Sequence, residues 1–202
     1  MPSRRAPLPR IDGARESRLT SVRLVLDADH YARVVQDVLV CARVSLWIGT
    51  ANVKEMMIEA PVGTSARARG RYVSVLSRLD ELAGRGVELR LLHATVPSGP
   101  FRQELRRFPR LVRGGLAMRR CPRVHLKVIA VDGTMLYLGS ANFTGAGLGA
   151  KGDGRRNFEL GVLTDDDVLL DAVQGRYERI WSGAECGACK LRSACPKPLD
   201  RI

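Results

Sequence analysis

R-V-H-L-K-V-I-A-V-D-G-T-M-L-Y-L-G-S-A-N, from Arg123 to Asn142, decides the fold. Val124 to Val131 is an apolar, β-branched run. Asp132-Gly133 supplies the positive φ angles of a tight hairpin turn, and Thr134 to Leu138 is the return strand. His125 and Lys127 stand two apart, so both project from one face of the first strand. A cation beside an imidazole favours the neutral, nucleophilic form of the ring. Gly139 is read as a point where the backbone can come close to a ligand. Ser140 and Asn142, again two apart, offer hydrogen-bond donors to one anion. One nucleophile, one fixed cation and two neutral donors make a site suited to a phosphate group.

The pattern His125-x-Lys127, Asp132, Gly139-Ser140-x-Asn142 resembles the HKD signature of the phospholipase D superfamily in every element. It is most similar to the short, single-motif, dimeric bacterial endonuclease branch. The resemblance spans Leu19 to Trp181, with the specific residues lying between His125 and Glu159. It implies an α/β protein, an α/β/α sandwich around a mixed β-sheet. It also implies phosphodiester hydrolysis with no cofactor for catalysis. One histidine attacks phosphorus, and a second protonates the leaving oxygen and then activates water. Lysine and asparagine hold the non-bridging oxygens where charge develops. By the same resemblance Asp132 has a supporting role, and Glu159 orients the active-site histidine. That reaction needs two copies of the motif and the chain carries one, so a homodimer is implied, with His125 from each subunit facing across a two-fold axis. The expected catalytic set is His125, Lys127, Asp132, Ser140, Asn142 and Glu159.

Outward from the hairpin, Leu19 to Leu26 reads as a first strand. Asp27 or Asp29 caps a helix to about Ala42, and Val44 to Ala51 is a strand. Met56 and Met57 start a short helix, and Pro61 to Arg71 is a flexible loop. Tyr72 to Ala83 is an amphipathic helix closed by Gly84 and Gly86, and a strand starts at Val87. Helix, loop and strand in that order form an α/β crossover unit. After Asn142 a loop with five glycines carries Arg155 and Arg156. Asn157 to Leu163 is a strand, and Asp165 to Asp167 cap a last helix from Val168 to Trp181.

The net charge of +12 over 202 residues suits a polyanionic partner. The cations are mostly arginine, whose guanidinium pairs with phosphate oxygens two at a time. Between Phe101 and Arg123 eight arginines face one carboxylate, Glu104. Arg106, Arg107, Arg110, Arg113, Arg119, Arg120 and Arg123, with Arg155 and Arg156, are therefore read as a nucleic-acid-binding surface. Few aromatics interleave them, so phosphate contact is expected and sequence-specific readout is not. DNA is favoured over RNA. No amphipathic membrane-binding helix is evident, which weighs against the lipid hydrolysis that some of the superfamily performs. The alternative is a nucleic-acid-binding module whose activity depends on a partner, a helicase or a restriction or defence component.

Residues 1–18 read as a disordered basic arm, 19–182 as the catalytic domain and 183–202 as a cysteine-rich tail. No secretory signal or transmembrane run is evident, so a cytoplasmic location is expected, where cysteines are thiols or ligands more often than disulfides. Cys186-x2-Cys189-x5-Cys195-Pro196 has metal-ligand spacing, and Cys121, also followed by proline, is the candidate fourth ligand. Zinc fits four thiolates. The spacing also resembles the end of an iron–sulfur loop holding a [4Fe–4S] cluster, although Arg179 stands where that loop has a further cysteine.

Overall fold

Short apolar runs broken by turn residues form strands β1 (Arg23–Leu26), β2 (Ser45–Thr50), β3 (Met57–Glu59), β4 (Tyr72–Ser74), β5 (Glu88–His93), β6 (Ala117–Arg120), β7 (Val128–Val131), β8 (Met135–Gly139) and β9 (Leu160–Thr164) in the computed structural model. Helices α1 (Ser65–Ala68), α2 (Val75–Gly84), α3 (Gly99–Leu105) and α4 (Asp167–Trp181) lie between or after them. The structure describes residues 19–193 and Cys195; the arm expected over 1–18 and the tail after Cys195 lie outside these.

Seven strands make one mixed sheet in the order β1-β9-β8-β7-β2-β5-β6. β2, β5 and β6 run parallel, and the remaining neighbours are antiparallel. Alternation along β2 and β7 separates two cores. Leu46, Ile48, Ile129 and Val131 join the face covered by α2, where Val75, Leu76, Leu79 and Leu82 are buried. Trp47, Val128 and Ala130 face α4, which contributes Leu170, Tyr177 and Trp181. Each such buried side chain contributes roughly 1.5–3 kcal/mol. Helices thus cover both faces, the α/β/α arrangement expected. Asp166 caps α4 by accepting the Leu169 amide at 2.8 Å.

Three local expectations are corrected. The helix expected up to Ala42 is a wide, i→i+5 turn over His30–Gln36 and a tight turn over Leu39–Cys41, with no side-chain cap from Asp29. Crowding by Val34, Val35 and Val38 lowers helix propensity there. Met57 starts a strand rather than a helix, because Ile58 alternates inward and the segment pairs with β4. Tyr72 belongs to that partner strand; α2 starts after Ser74, whose hydroxyl accepts the Leu76 amide at 3.0 Å. Within the arginine-rich stretch, Leu116 and Met118 are buried and Ala117–Arg120 pairs parallel to β5 as an edge strand that the charge pattern concealed. Among the described residues no helix is long and apolar enough to cross a membrane.

Candidate active site

The mixed topology brings one end of each central strand to the same edge of the sheet. The C-terminal ends of β2, β5, β6 and β8 meet the N-terminal ends of β7 and β9 there. Such a crevice at the ends of parallel strands is where open α/β sheets place ligands. The Asp132-Gly133 turn lies at the opposite end and has the expected positive φ angles, 55° and 65°.

The strand expected from Val124 starts only at Val128, so His125 and Lys127 stand just before β7 and not on it. Residues 124–127 keep its inward–outward alternation at this edge of the sheet. Val124 and Leu126 join the α4 core, which leaves His125 and Lys127 on the other face. His125 is exposed and Lys127 half-buried. Lys127 Nζ stands 2.9 Å from His125 Nε2 and 3.1 Å from Nδ1, and donates to the His125 carbonyl at 3.1 Å. Burial lowers the Lys127 ammonium from its ordinary value, and the nearby Glu159 carboxylate opposes that shift.

Ser140 donates its hydroxyl to Glu159 and accepts the Leu160 amide at 3.1 Å. Glu159 is itself fixed. The Asn157 side-chain amide donates to its Oε1 at 2.9 Å, and its backbone N–H donates to Asp27 Oδ1 at 2.9 Å. The glycine-rich loop does not carry Glu159 away from the motif, because β9 pairs directly with β8. Asn142 turns its carbonyl oxygen toward the Asn52 amide at 3.1 Å and the Thr50 hydroxyl at 3.3 Å, which leaves its NH2 as a donor for an anion. His125, Lys127, Ser140, Asn142 and Glu159 therefore share one end of the sheet.

Asp132 does not join them. Its carboxylate accepts the backbone amides of Arg43, Val44 and Ser45 at 2.7 to 3.1 Å, pinning the start of β2 at the far end of the hairpin. Its role is structural, as the supporting role implied by the motif allows. Asp132→Ala is expected to destabilise the fold by about 2–3 kcal/mol through loss of these charge-assisted bonds. A denaturant midpoint that falls while kcat of the remaining folded enzyme holds would check this.

Gly139 has a different function from the one its sequence position suggested. A Cβ there would lie 2.2 Å from the Tyr137 hydroxyl and 2.8 Å from the Leu160 carbonyl oxygen. The missing side chain makes room for Tyr137, not for a ligand. The Tyr137 hydroxyl meets His30 Nε2 at 2.9 Å, and His30 Nδ1 lies 3.1 Å from the Asp27 carbonyl. Burial raises the Tyr137 phenol far above its ordinary value and lowers the His30 imidazole. Asp27, His30, Tyr137 and Asn157 thus form a support under Glu159 that sequence reading missed. Only Asn157-x-Glu159, two residues on one strand face, carried a signal for it.

Several of the arginines read as a nucleic-acid surface have partners within the chain. Arg110 pairs with Asp80 at 2.8 Å and Arg107 with Glu104 at 3.0 Å. Arg119 donates to the Trp181 carbonyl and lies 4.8 Å from the centre of its ring. Arg120 donates to the Ala94 carbonyl at 3.3 Å, and Arg156 pairs with Asp153. Arg123 lines the cavity of the C-terminal cysteines. Arg106, Arg113 and Arg155 are exposed and have no ion-pair partner among the described residues. Beside Asn142 and Asn157 opens a groove of about 720 Å3 whose cations are Lys54 and Lys151. The expected cysteine set is brought together: Cys121, Cys186, Cys189 and Cys195 line one small cavity.

A family described as cardiolipin synthase, phospholipase D-like domain, matches residues 41–181. Among curated proteins none matches the sequence. Nuc from Salmonella typhimurium, a phospholipase D family member, superposes with a TM-score of 0.53 at 19% identity, over 81% of this chain and 95% of Nuc. NucT from Helicobacter pylori gives 0.54 at 14% identity, over 80% of this chain and 95% of NucT. TrmBL2, an archaeal chromatin protein, gives 0.50 at 12% identity, over 83% of this chain and 54% of TrmBL2. Those structures share the fold, and the matched family includes the hairpin, Ser140, Asn142 and Glu159; the chain belongs to the phospholipase D superfamily.

Proposed function

We propose that the protein is a metal-independent endonuclease, acting on DNA as a homodimer through a covalent phosphohistidine. The observation that carries this reading is the exposed His125 imidazole against Lys127, beside the Ser140–Glu159 pair. A His125 ring nitrogen attacks phosphorus and forms the P–N bond as the P–O bond to the leaving oxygen breaks. Lys127 and the Asn142 NH2 hold the non-bridging oxygens as charge builds on them. The leaving oxygen needs a proton, and water must later be deprotonated as it displaces the histidine.

The chain has three histidines, and the other two are committed elsewhere. His30 is buried on Tyr137, and His93 is buried with Nδ1 on the Thr95 carbonyl at 2.8 Å. The partner's His125 is the simplest acid and base. Phe158, 96% exposed next to Glu159, offers apolar surface that a second copy could cover.

DNA as substrate is supported by the net charge of +12, by the exposed Arg106, Arg113 and Arg155, and by Lys54 and Lys151 in the groove beside Asn142. TrmBL2, similar in fold, is described as showing a novel mode of DNA binding. The test is cleavage of plasmid and single-stranded DNA in excess EDTA, next to vesicles of anionic phospholipid, with the oligomeric state read by sedimentation. DNA cleavage by a dimer is expected. Phospholipid cleavage without DNA cleavage would replace the substrate. Salt-sensitive DNA binding without cleavage would leave a module that needs a helicase or defence partner.

A further inference from the structure

We propose that Cys121, Cys186, Cys189 and Cys195 hold one Zn2+ as a four-thiolate structural site. The ligands come from two distant segments. Cys121 follows β6, with its amide donating to the His93 carbonyl at 2.8 Å. The other three follow α4 in a compact series of turns. Cys189 N–H donates to the Cys186 carbonyl at 3.2 Å, and Cys195 N–H donates to the Leu191 carbonyl at 2.9 Å. All four side chains line the same cavity, and no disulfide joins them. Among the described residues no three histidine, cysteine or carboxylate groups already form a metal-holding set. Binding therefore requires the sulfurs to close toward the cavity centre, to about 2.3 Å from the ion.

Size and charge favour zinc. The cavity holds about 20 Å3, close to the space of one water or one ion, whereas a [4Fe–4S] cluster has eight inorganic atoms. Four thiolates around Zn2+ leave a formal charge of roughly −2. Arg123 and Arg192 both line the same cavity, so two guanidiniums stand near enough to offset it.

The position of the site gives it a consequence. Val124 N–H donates to the Cys121 carbonyl at 2.9 Å, so Cys121 opens the turn that delivers His125. Zinc would tie that turn to the segment after α4, where residues 187–193 are mostly exposed and bury little apolar surface of their own. The ion holds the entry to the catalytic strand and takes no part in the reaction.

The experiment is elemental analysis of the full-length protein purified without added metal, followed by exchange of the ion for Co2+. About one zinc per chain is expected, with thiolate-to-cobalt charge-transfer bands after exchange. Cys121→Ser is expected to weaken those bands as one of four thiolates is lost. Because that variant could fold poorly, wild-type protein is also titrated with an organomercurial, and zinc release is expected to track modification of the four thiols. Protein that holds no zinc and gives no cobalt–thiolate bands overturns the site. Iron with acid-labile sulfide overturns the metal, and an unchanged cobalt spectrum in Cys121→Ser overturns that ligand.

Discussion

His125→Asn is expected to lower phosphodiester cleavage by about 10^4-fold or more, as removal of a covalent nucleophile does. The same change should leave the unfolding free energy within about 0.5 kcal/mol. Both expectations come from placement. The imidazole is exposed, and its hydrogen-bonding contact is Lys127, half-buried in the same crevice. Asparagine fills similar space but offers no ring nitrogen to form a P–N bond. In the proposed homodimer, pairing one wild-type with one His125→Asn subunit would leave a single imidazole for both nucleophile and acid, so the rate of that heterodimer should fall well below half. Single-turnover cleavage of an oligonucleotide, with circular dichroism melts of the same samples, separates chemistry from folding. A His125→Asn protein that melts normally and still cleaves within about tenfold of wild type would place the chemistry elsewhere.

Gly161→Ala is expected to cause a large loss of stability. Gly161 pairs with Gly139 across β8 and β9, and Tyr137 lies over both. An added Cβ at Gly161 would stand 2.4 Å from Tyr137 Cε2 and 2.8 Å from its hydroxyl. Tyr137 is fully buried and bonded to His30, so it has no free direction in which to yield. Overpacking of this kind costs about 3 kcal/mol. The damage should also reach activity, because Ser140 and Glu159 flank the same two glycines. All three close contacts at Gly161 are with the Tyr137 side chain, so a smaller residue there should relieve them. The double variant Gly161→Ala/Tyr137→Leu should therefore lose less stability than the sum of the single variants, by about 1–2 kcal/mol. Urea midpoints for the four proteins measure that coupling. Strict additivity would show that the Tyr137 ring does not set the cost.

The hairpin was legible because its information is local: a two-residue period, an Asp-Gly turn, and polar residues at fixed offsets. The last helix was legible for the same reason, with its acidic cap and apolar face. What escaped depends on partners far away in the chain. Gly139 looks like room for a ligand until the Tyr137 ring is placed over it, and what Asp132 supports is unspecified until the amides of residues 43–45 close on its carboxylate. Asp27 and His30 read as the start of a helix, yet they support Glu159 from a strand end more than 120 positions away in sequence. Charge was legible as a total. Its placement was not, because an arginine bonded to a backbone carbonyl, as Arg119 and Arg120 are, reads in sequence like one facing solvent. The cysteines show the opposite case, since a spacing of two residues and a distant Cys-Pro led to one cavity.

The most direct test of the central claim is to look for the covalent intermediate. Protein and a short single-stranded oligonucleotide are mixed in a single-turnover time course, quenched in alkali to preserve P–N bonds, digested and measured by mass spectrometry. The expected result is a transient nucleotide adduct on the peptide containing His125, rising before product and absent in His125→Asn. Product formed at full rate with no adduct at any time point would contradict a phosphohistidine and require direct attack by water.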